Sequence, residues 1–195
     1  MRYFVGIDIG STAIKISVAD ENKNLVGHKI SASGSMFYKY AQEALGELLR
    51  ELGIDESEVV YTVATGYGRK LFKEADENVS EITANAIGAQ QAAKSYGKIK
   101  TIINIGGQDS KAISLDTEGN VVNFAMNDRC AAGTGKFLDV VAMNLEIGVD
   151  ELSAYHFKSV GTPLSISSTC AVFAESEIIG LLGNNHSVED IVSGV

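Results

Sequence analysis

The residues best suited to chemistry lie in two short turns of small residues, each following an apolar run typical of a strand. The first turn is DIGST, from Asp8 to Thr12, and the second is NIGGQD, from Asn104 to Asp109. A strand that ends in such a turn exposes backbone N–H groups that can hold phosphate oxygens. A single turn of this kind is more often a plain hairpin that needs glycine. Two turns in equivalent places favour a phosphate site.

The residue types in these turns predict their roles in a site for ATP or ADP. Asp8 would hold Mg²⁺ through water, because this ion keeps several waters and takes few protein carboxylates. Asp8, Asn104 and Asp109 are the candidate catalytic residues. The candidate nucleotide-binding residues belong to the glycine turns or stand close to them: Gly10, Ser11, Thr12, Lys15, Gly106, Gly107, Gln108, Gly133 and Gly135.

The stretch MNDRCAAGTGKFLDV, from Met126 to Val140, matches a phosphate loop only in part. A Walker A motif needs a glycine where this chain has Cys130, and a serine or threonine where it has Phe137. The stretch is therefore not a Walker loop. It places one of the two cysteines of the chain at the mouth of a glycine-rich turn.

Cys130 and Cys170 each stand at the start of a predicted helix. The positive end of a helix dipole favours the thiolate form, which binds metals. A tetrahedral zinc or a 4Fe–4S cluster usually takes four ligands, and a twofold dimer of this chain would supply four thiolates. The alternative is that the cysteines are small buried hydrophobic residues, and their spacing alone favours this alternative.

The elements that position these residues alternate between strands and helices and indicate an α/β protein. The predicted strands are Tyr3–Ile9, Ile14–Ala19, Leu25–Ile30, Val59–Ala64, Thr101–Ile105, Lys111–Leu115, Val121–Ala125 and Leu164–Ile166. The predicted helices are Tyr38–Leu52, Glu81–Ala93, Thr134–Leu145 and Val172–Leu182, with another beginning at Val188. Each half starts with strands around a glycine turn, so we expect a duplication with domains at 1–97 and 98–195, the second incomplete at its C-terminal end.

The composition excludes several classes of partner. The 195 residues carry a net charge of −9, which argues against a nucleic-acid or anionic-membrane surface. No apolar run approaches the roughly 18 residues of a membrane span, and Asp8 interrupts any signal-peptide core. The two cysteines form no C-x-x-C pair, so a cytoplasmic protein with reduced thiols is the simplest interpretation.

Five segments, GIDIGSTAIK, ATGYGR, IGGQDSK, MNDRCAAGTGKFLDV and ISSTCAVFAESE, resemble the motif series of the BadF/BadG-type ATPases, the activators of 2-hydroxyacyl-CoA dehydratases. The resemblance covers essentially the whole chain. It implies the actin–hexokinase–heat-shock fold, built of duplicated ribonuclease-H-like domains. It further implies a homodimer that holds one 4Fe–4S cluster through Cys130 and Cys170, and that passes single electrons from a ferredoxin or flavodoxin to a dehydratase when ATP is hydrolysed.

The chain departs from the family pattern at three places. It has Asn104 where members usually carry aspartate, and Asn85 where they often carry histidine. Members also continue beyond position 195 into a glycine-rich segment that contacts adenosine. The first departure leads us to expect slow ATP hydrolysis, and the third to expect weak nucleotide binding.

Two alternatives to an electron donor follow from the residues. The first is a small-molecule kinase of the same fold, with ATP phosphates in the same turns and no cluster, although residues 65–100 carry no sugar-binding signature. The second is a nucleotide switch whose dimer is joined by zinc. An iron–sulfur protein is brown, whereas either alternative would be colourless.

Overall fold

A computed structural model describes residues 1–127, 133–161, 163–166 and 171–195. The chain divides into two compact units. The first comprises Met1–Ile102 and Ala112–Ala125, and the second comprises Ile103–Lys111 and Met126–Val195. Each unit has its own apolar core, and each is described by itself below.

The first unit contains a five-stranded mixed sheet in the order β3-β2-β1-β4-β5. Its strands are β1 (Tyr3–Ile9), β2 (Ala13–Asp20), β3 (Leu25–Ala32), β4 (Val59–Thr65) and β5 (Glu77–Asn78). The first three strands form an antiparallel meander, whereas β4 runs parallel to β1 and β5 runs parallel to β4. The register places Asp8 opposite Lys15 on β2 and opposite Thr65 on β4.

One face of this sheet packs against helix α1 (Phe37–Leu52). Alternate residues of the first two strands are buried: Val5, Ile7, Ile9, Ile14, Ile16 and Val18. The helix presents Ala41, Ala44, Leu48 and Leu49 to the same core at helical spacing. It ends at Gly53, whose left-handed backbone (φ 67°) closes the helix with hydrogen bonds to Arg50 and Leu49. This layer fixes the end of β1, where the first glycine turn begins.

A second sheet has three strands in the order β6-β7-β8: β6 (Thr101–Ile105), β7 (Ser110–Leu115) and β8 (Val121–Asn127). Helix α2 (Glu81–Ala92) begins at Ser80, whose hydroxyl accepts the N–H of Thr83. Ala86 of this helix forms a small core with Ile113 and Leu115 of β7.

The second unit contains four α-helices in its described part: α3 (Gly135–Asn144), α4 (Leu152–His156), α5 (Ala171–Gly183) and α6 (Val188–Gly194). Their shared core is centred on four fully buried side chains, Val141, Ala174, Ile178 and Ile191. Ser187 caps α6 by accepting the N–H of Asp190. This helical core holds the start of α3 in place beside the second glycine turn.

Most of the predicted elements are confirmed, with bounds that shift by one or two residues. The predicted strand Leu164–Ile166 is wrong, because the described residues 163–166 form no strand. Leu164 and Ile166 pack instead on the helical core, and a side chain on Gly194 would clash with the Leu164 carbonyl. The apolar spacing of this segment therefore reflects burial of its side chains against helices and not pairing with another strand. The short elements β5 and α4 were not predicted, and the division at residues 97 and 98 stays a prediction.

Each sheet also contains a second turn, and these two turns have the same hydrogen bonds. Asp20 accepts hydrogen bonds from the N–H groups of Asn22 and Asn24, and Asp116 accepts the same set from Glu118 and Asn120. Each residue of the second copy stands 96 positions after its counterpart. The side-chain hydrogen bond from Asn24 lowers the pKa of Asp20, and that from Asn120 lowers the pKa of Asp116. Within the described residues, the spacing of 96 therefore relates two equivalent hairpins.

None of the helices in the described ranges is both long and apolar enough to cross a membrane.

Candidate functional site

The first glycine turn is closed by one backbone hydrogen bond. The N–H of Gly10 donates to the carbonyl of Ala13 at 3.1 Å. A Cβ atom on Gly10 would stand 2.8 Å from that carbonyl oxygen, so only glycine fits. Within the part of the chain that the structure describes, the N–H groups of Ser11 and Thr12 donate to no backbone carbonyl. The end of β1 therefore offers two free donors, as a phosphate site requires.

Asp8 and Lys15 flank this turn from neighbouring strands. The Lys15 ammonium lies 2.9 Å from a carboxylate oxygen of Asp8, and the side chains are 51% and 33% exposed. An ion pair this exposed adds little to stability, because water screens both charges. Both side chains are consequently accessible to a ligand at the turn.

Ser33 fastens the first turn to the end of β3. Its hydroxyl donates to the Gly10 carbonyl at 2.6 Å, and its N–H donates to the Thr12 carbonyl at 3.1 Å. The residue is fully buried. The sequence analysis did not name Ser33, because the contact joins residues 23 positions apart and no local pattern marks it.

The segment after β4 closes over the same strand end. The N–H of Gly68 donates to the Ile9 carbonyl at 2.8 Å. Gly66 has φ 90°, and a Cβ atom there would clash with the Asp8 carboxylate. The Arg69 guanidinium braces this loop by donating to the Gly66 carbonyl at 3.0 Å. The motif ATGYGR was noticed in the sequence without a role. The structure places its glycines against Asp8 and Ile9.

The second glycine turn repeats the closure of the first. The N–H of Gly106 donates to the Asp109 carbonyl at 2.7 Å, and a Cβ atom on Gly106 would stand 2.6 Å from the Asp109 side chain. Gly106 is 96 positions after Gly10. Across the described ranges, the N–H groups of Gly107 and Gln108 have no backbone acceptor, as for Ser11 and Thr12. The predicted equivalence of the two turns thus extends to their hydrogen bonds.

The charged groups of the second turn are arranged differently from those of the first. Lys111, the counterpart of Lys15, is only 5% exposed, and its ammonium bonds to the Asp109 carboxylate. The sequence analysis missed Lys111, although its spacing of 96 from Lys15 was a usable signal. Asn104, the counterpart of Asp8, is half-buried on β6. The catalytic roles of Asn104 and Asp109 stay predictions.

Helix α3 begins directly on the second turn. The N–H of Gly135 donates to the Gly106 carbonyl at 2.8 Å, and the N–H of Lys136 donates to the Gly107 carbonyl at 2.9 Å. A Cβ atom on Gly135 would stand 3.3 Å from the Gly106 oxygen, so glycine permits this approach. Ser110 adds a third bond, from its hydroxyl to the Gly133 carbonyl at 2.6 Å. The nucleotide contacts expected of Gly133 and Gly135 stay predictions.

Both predicted cluster ligands, Cys130 and Cys170, lie outside the described residues. Among the residues that are described, no group of three or more histidine, cysteine, aspartate or glutamate side chains could hold a metal ion. The expectation of a 4Fe–4S cluster therefore stays a prediction that rests on the sequence.

A sequence profile of the BadF/BadG/BcrA/BcrD ATPase family matches residues 5–195. The chain belongs to this family. It is 42% identical over 193 residues to the 2-hydroxyisocaproyl-CoA dehydratase activator of Clostridioides difficile, and the match covers 99% of this chain and 71% of that protein.

Two solved structures of the same kind resemble this BadF/BadG-type ATPase closely. Component A of the (R)-2-hydroxyglutaryl-CoA dehydratase of Acidaminococcus fermentans superposes with a TM-score of 0.89 at 39% identity, over 100% of this chain and 73% of that one. The Clostridium difficile activator with bound ADPNP superposes with a TM-score of 0.86 at 41% identity, over 98% of this chain and 70% of that one. The predicted family and fold class are thereby confirmed.

Proposed function

We propose that this BadF/BadG-type ATPase is an ATP-driven one-electron donor that activates a 2-hydroxyacyl-CoA dehydratase or a related reductase. The observation that carries the proposal is the pair of glycine turns, each with two free N–H donors, in a chain 42% identical to a dehydratase activator.

The free backbone donors of each turn would bind phosphate oxygens of ATP or ADP, and Gly10 and Gly106 would allow each turn to keep its closed backbone ring. Lys15 would add a positive charge beside the first turn, as its exposed ammonium allows. A relative with bound ADPNP supports nucleotide binding by this chain. The free backbone donors and the Lys15 ammonium thus fit the negative charge of a nucleoside triphosphate.

Asp8 would hold Mg²⁺ through water. Its carboxylate is partly exposed at the end of β1 and pairs with the ammonium of Lys15. Because the lysine side chain is flexible, a metal cation could take the place of the ammonium beside Asp8. When bound, Mg²⁺ neutralises part of the phosphate charge. The residues of this chain would orient the phosphates, and Gly66 would keep the loop after β4 close against Asp8.

The cluster would be held by Cys130 and Cys170 of both subunits of a homodimer. The chemistry of the donors fits, since each chain has two cysteines and a 4Fe–4S cluster takes four thiolates. When bound, the cluster supplies a one-electron store. A ferredoxin or flavodoxin would reduce it, in the cytoplasm, where thiols stay reduced.

The test is purification without oxygen, followed by analysis of iron, absorbance and ATP hydrolysis. We expect a brown dimer with about four irons per two chains, and Cys170→Ser should lose the iron and weaken the dimer. A colourless protein that phosphorylates a small hydroxylated compound would replace this proposal with a kinase. A Cys170→Ser variant with full iron content would refute the shared cluster.

A further inference from the structure

In the second glycine turn, backbone N–H groups are free on one side and backbone carbonyls are hydrogen-bonded on the other. On one side, the N–H groups of Gly107 and Gln108 have no backbone acceptor among the described residues. On the other side, the carbonyls of Gly106 and Gly107 accept the first two N–H groups of α3, from Gly135 and Lys136. The free donors and the engaged acceptors alternate along the same three residues.

These groups are paired by covalent geometry. The carbonyl of Gly106 and the N–H of Gly107 belong to one planar peptide group, as do the carbonyl of Gly107 and the N–H of Gln108. A peptide group that tilts to meet an anion with its N–H must swing its carbonyl as well. An anion on the N–H also polarises the amide and strengthens the hydrogen bond that its oxygen accepts. An anion that binds to these N–H groups therefore strengthens the hydrogen bonds between the turn and the start of α3.

A third bond ties the turn to the segment ahead of the helix. The hydroxyl of Ser110, the first residue of β7, donates to the Gly133 carbonyl at 2.6 Å. Gly133 has φ 72°, a left-handed conformation in which the following peptide is directed away from a straight helical path. Gly133 is three positions after Cys130 in the sequence.

The first turn is fastened in a different way. The Gly10 carbonyl, counterpart of the Gly106 carbonyl, accepts the Ser33 hydroxyl at 2.6 Å. Ser33 directly follows β3 and is fully buried, so the first turn is anchored to a sheet. The second turn is anchored to the start of a helix. The two turns therefore differ in what would move with them.

We propose that the second turn is a relay, in which phosphate bound to the N–H groups of Gly107 and Gln108 tightens Gly135 and Lys136 at the start of α3. Ser110 is a positioning residue, because its hydrogen bond to the Gly133 carbonyl holds Gly133 at a fixed position relative to the turn. The relay rests on the proposed function and deepens it. It gives the nucleotide a direct connection, through two peptide groups, to the helix that follows the Cys130 segment.

The test compares the wild type with Ser110→Ala and Ser33→Ala. Each variant removes one serine hydroxyl that donates to a glycine carbonyl at 2.6 Å, so the two changes are matched. Hydrogen–deuterium exchange of the Gly135 and Lys136 amides is measured with and without ADPNP and Mg²⁺, and calorimetry gives the nucleotide affinity of each protein.

In the wild type, ADPNP should slow exchange of these amides by about threefold or more. Ser110→Ala should bind ADPNP within about threefold of the wild type but lose most of this slowing, and Ser110→Thr, which keeps a hydroxyl, should restore it. Ser33→Ala should bind ADPNP more weakly yet show the full slowing once saturated, because its anchor belongs to the first turn.

The failures are distinguishable. A wild type that binds ADPNP without any change in exchange at Gly135 and Lys136 overturns the relay and leaves the proposed function standing. Full slowing in Ser110→Ala at saturating ADPNP removes Ser110 from the relay. A wild type that binds no adenine nucleotide at all overturns both the relay and the proposed function.

Discussion

The ammonium of Lys15 lies 2.9 Å from the carboxylate of Asp8, its direct partner in the register of β1 and β2. The pair stands beside the free N–H groups of the first turn. Because both side chains are substantially exposed, their contact adds little to stability, and each charged group stays accessible to a ligand at the turn.

We therefore expect Lys15→Ala to change stability by less than about 1 kcal/mol while weakening ADPNP binding by roughly tenfold. Thermal unfolding and calorimetry separate the two effects. Lys39→Ala is the matched control, because Lys39 forms an exposed pair with Glu43 on α1 and belongs to neither turn. Equal losses of affinity in the two variants would remove Lys15 from the nucleotide site.

Gly66 is expected to be intolerant of a side chain. Gly66→Ala places a Cβ atom against the Asp8 carboxylate and at φ 90°, so we expect a loss of about 1–3 kcal/mol in unfolding free energy and a sharp fall in nucleotide affinity. Urea unfolding measures the first quantity, and calorimetry measures the second.

Gly88→Ala serves as the control for that change. Gly88 lies within α2, and a Cβ atom there would meet nothing within 4 Å. This variant should be more stable than the wild type by about 0.5–1 kcal/mol, because alanine restricts the unfolded chain and favours helix. If Gly66→Ala were as well tolerated as Gly88→Ala, the loop after β4 would not press on Asp8.

The paired hairpins predict a pH dependence of stability. The hydrogen bonds from Asn24 and Asn120 lower the pKa values of Asp20 and Asp116 in the folded state. The stabilisation is therefore fully present above the unfolded pKa of about 3.9 and is lost as the pH falls through the lower folded pKa. Stability from these groups should be level near neutrality and fall only in acid.

The double variant Asp20→Asn, Asp116→Asn should lose less stability than the wild type between pH 5 and about pH 2, because an amide does not titrate. Its oxygen still accepts the two backbone N–H groups of each turn, whereas its nitrogen cannot accept the side chain of Asn24 or Asn120, so the variant starts from a lower stability at neutral pH. Urea midpoints across this range give the comparison. Parallel curves for the two proteins would show that these carboxylates do not contribute to acid unfolding.

Asn104 offers a direct test of the hydrolytic assignment. A carboxylate at the end of β6 could hold hydrated Mg²⁺ or orient the attacking water, and a unit charge pair at 4 Å is worth roughly 4 kcal/mol at an effective dielectric of 20, before desolvation. Asn104→Asp should raise the ATP turnover number and leave nucleotide affinity nearly unchanged. An unchanged or lower turnover number would take position 104 out of the hydrolytic apparatus.

Local patterns predicted β1, β2 and α1 well because the apolar spacing of each is set by contact with one core. Glycine turns were also predictable, since Gly10 and Gly106 serve a closure made within four residues. The anchors were not predictable, because Ser33 and Gly135 reach their turns across 23 and 29 positions of sequence. Leu164–Ile166 failed for a related reason: burial against helices and pairing in a sheet leave the same apolar signature.

The two glycine turns, 96 positions apart, are closed by the same backbone hydrogen bond but are attached to different neighbours. Gly10 and Gly106 close the same small ring, yet the carbonyl of one is held by a buried serine and the carbonyl of the other by the first amide of α3. In this family member, the two copies differ in the hydrogen bonds that attach each turn to its neighbours. A comparison of the turn sequences would not reveal this difference.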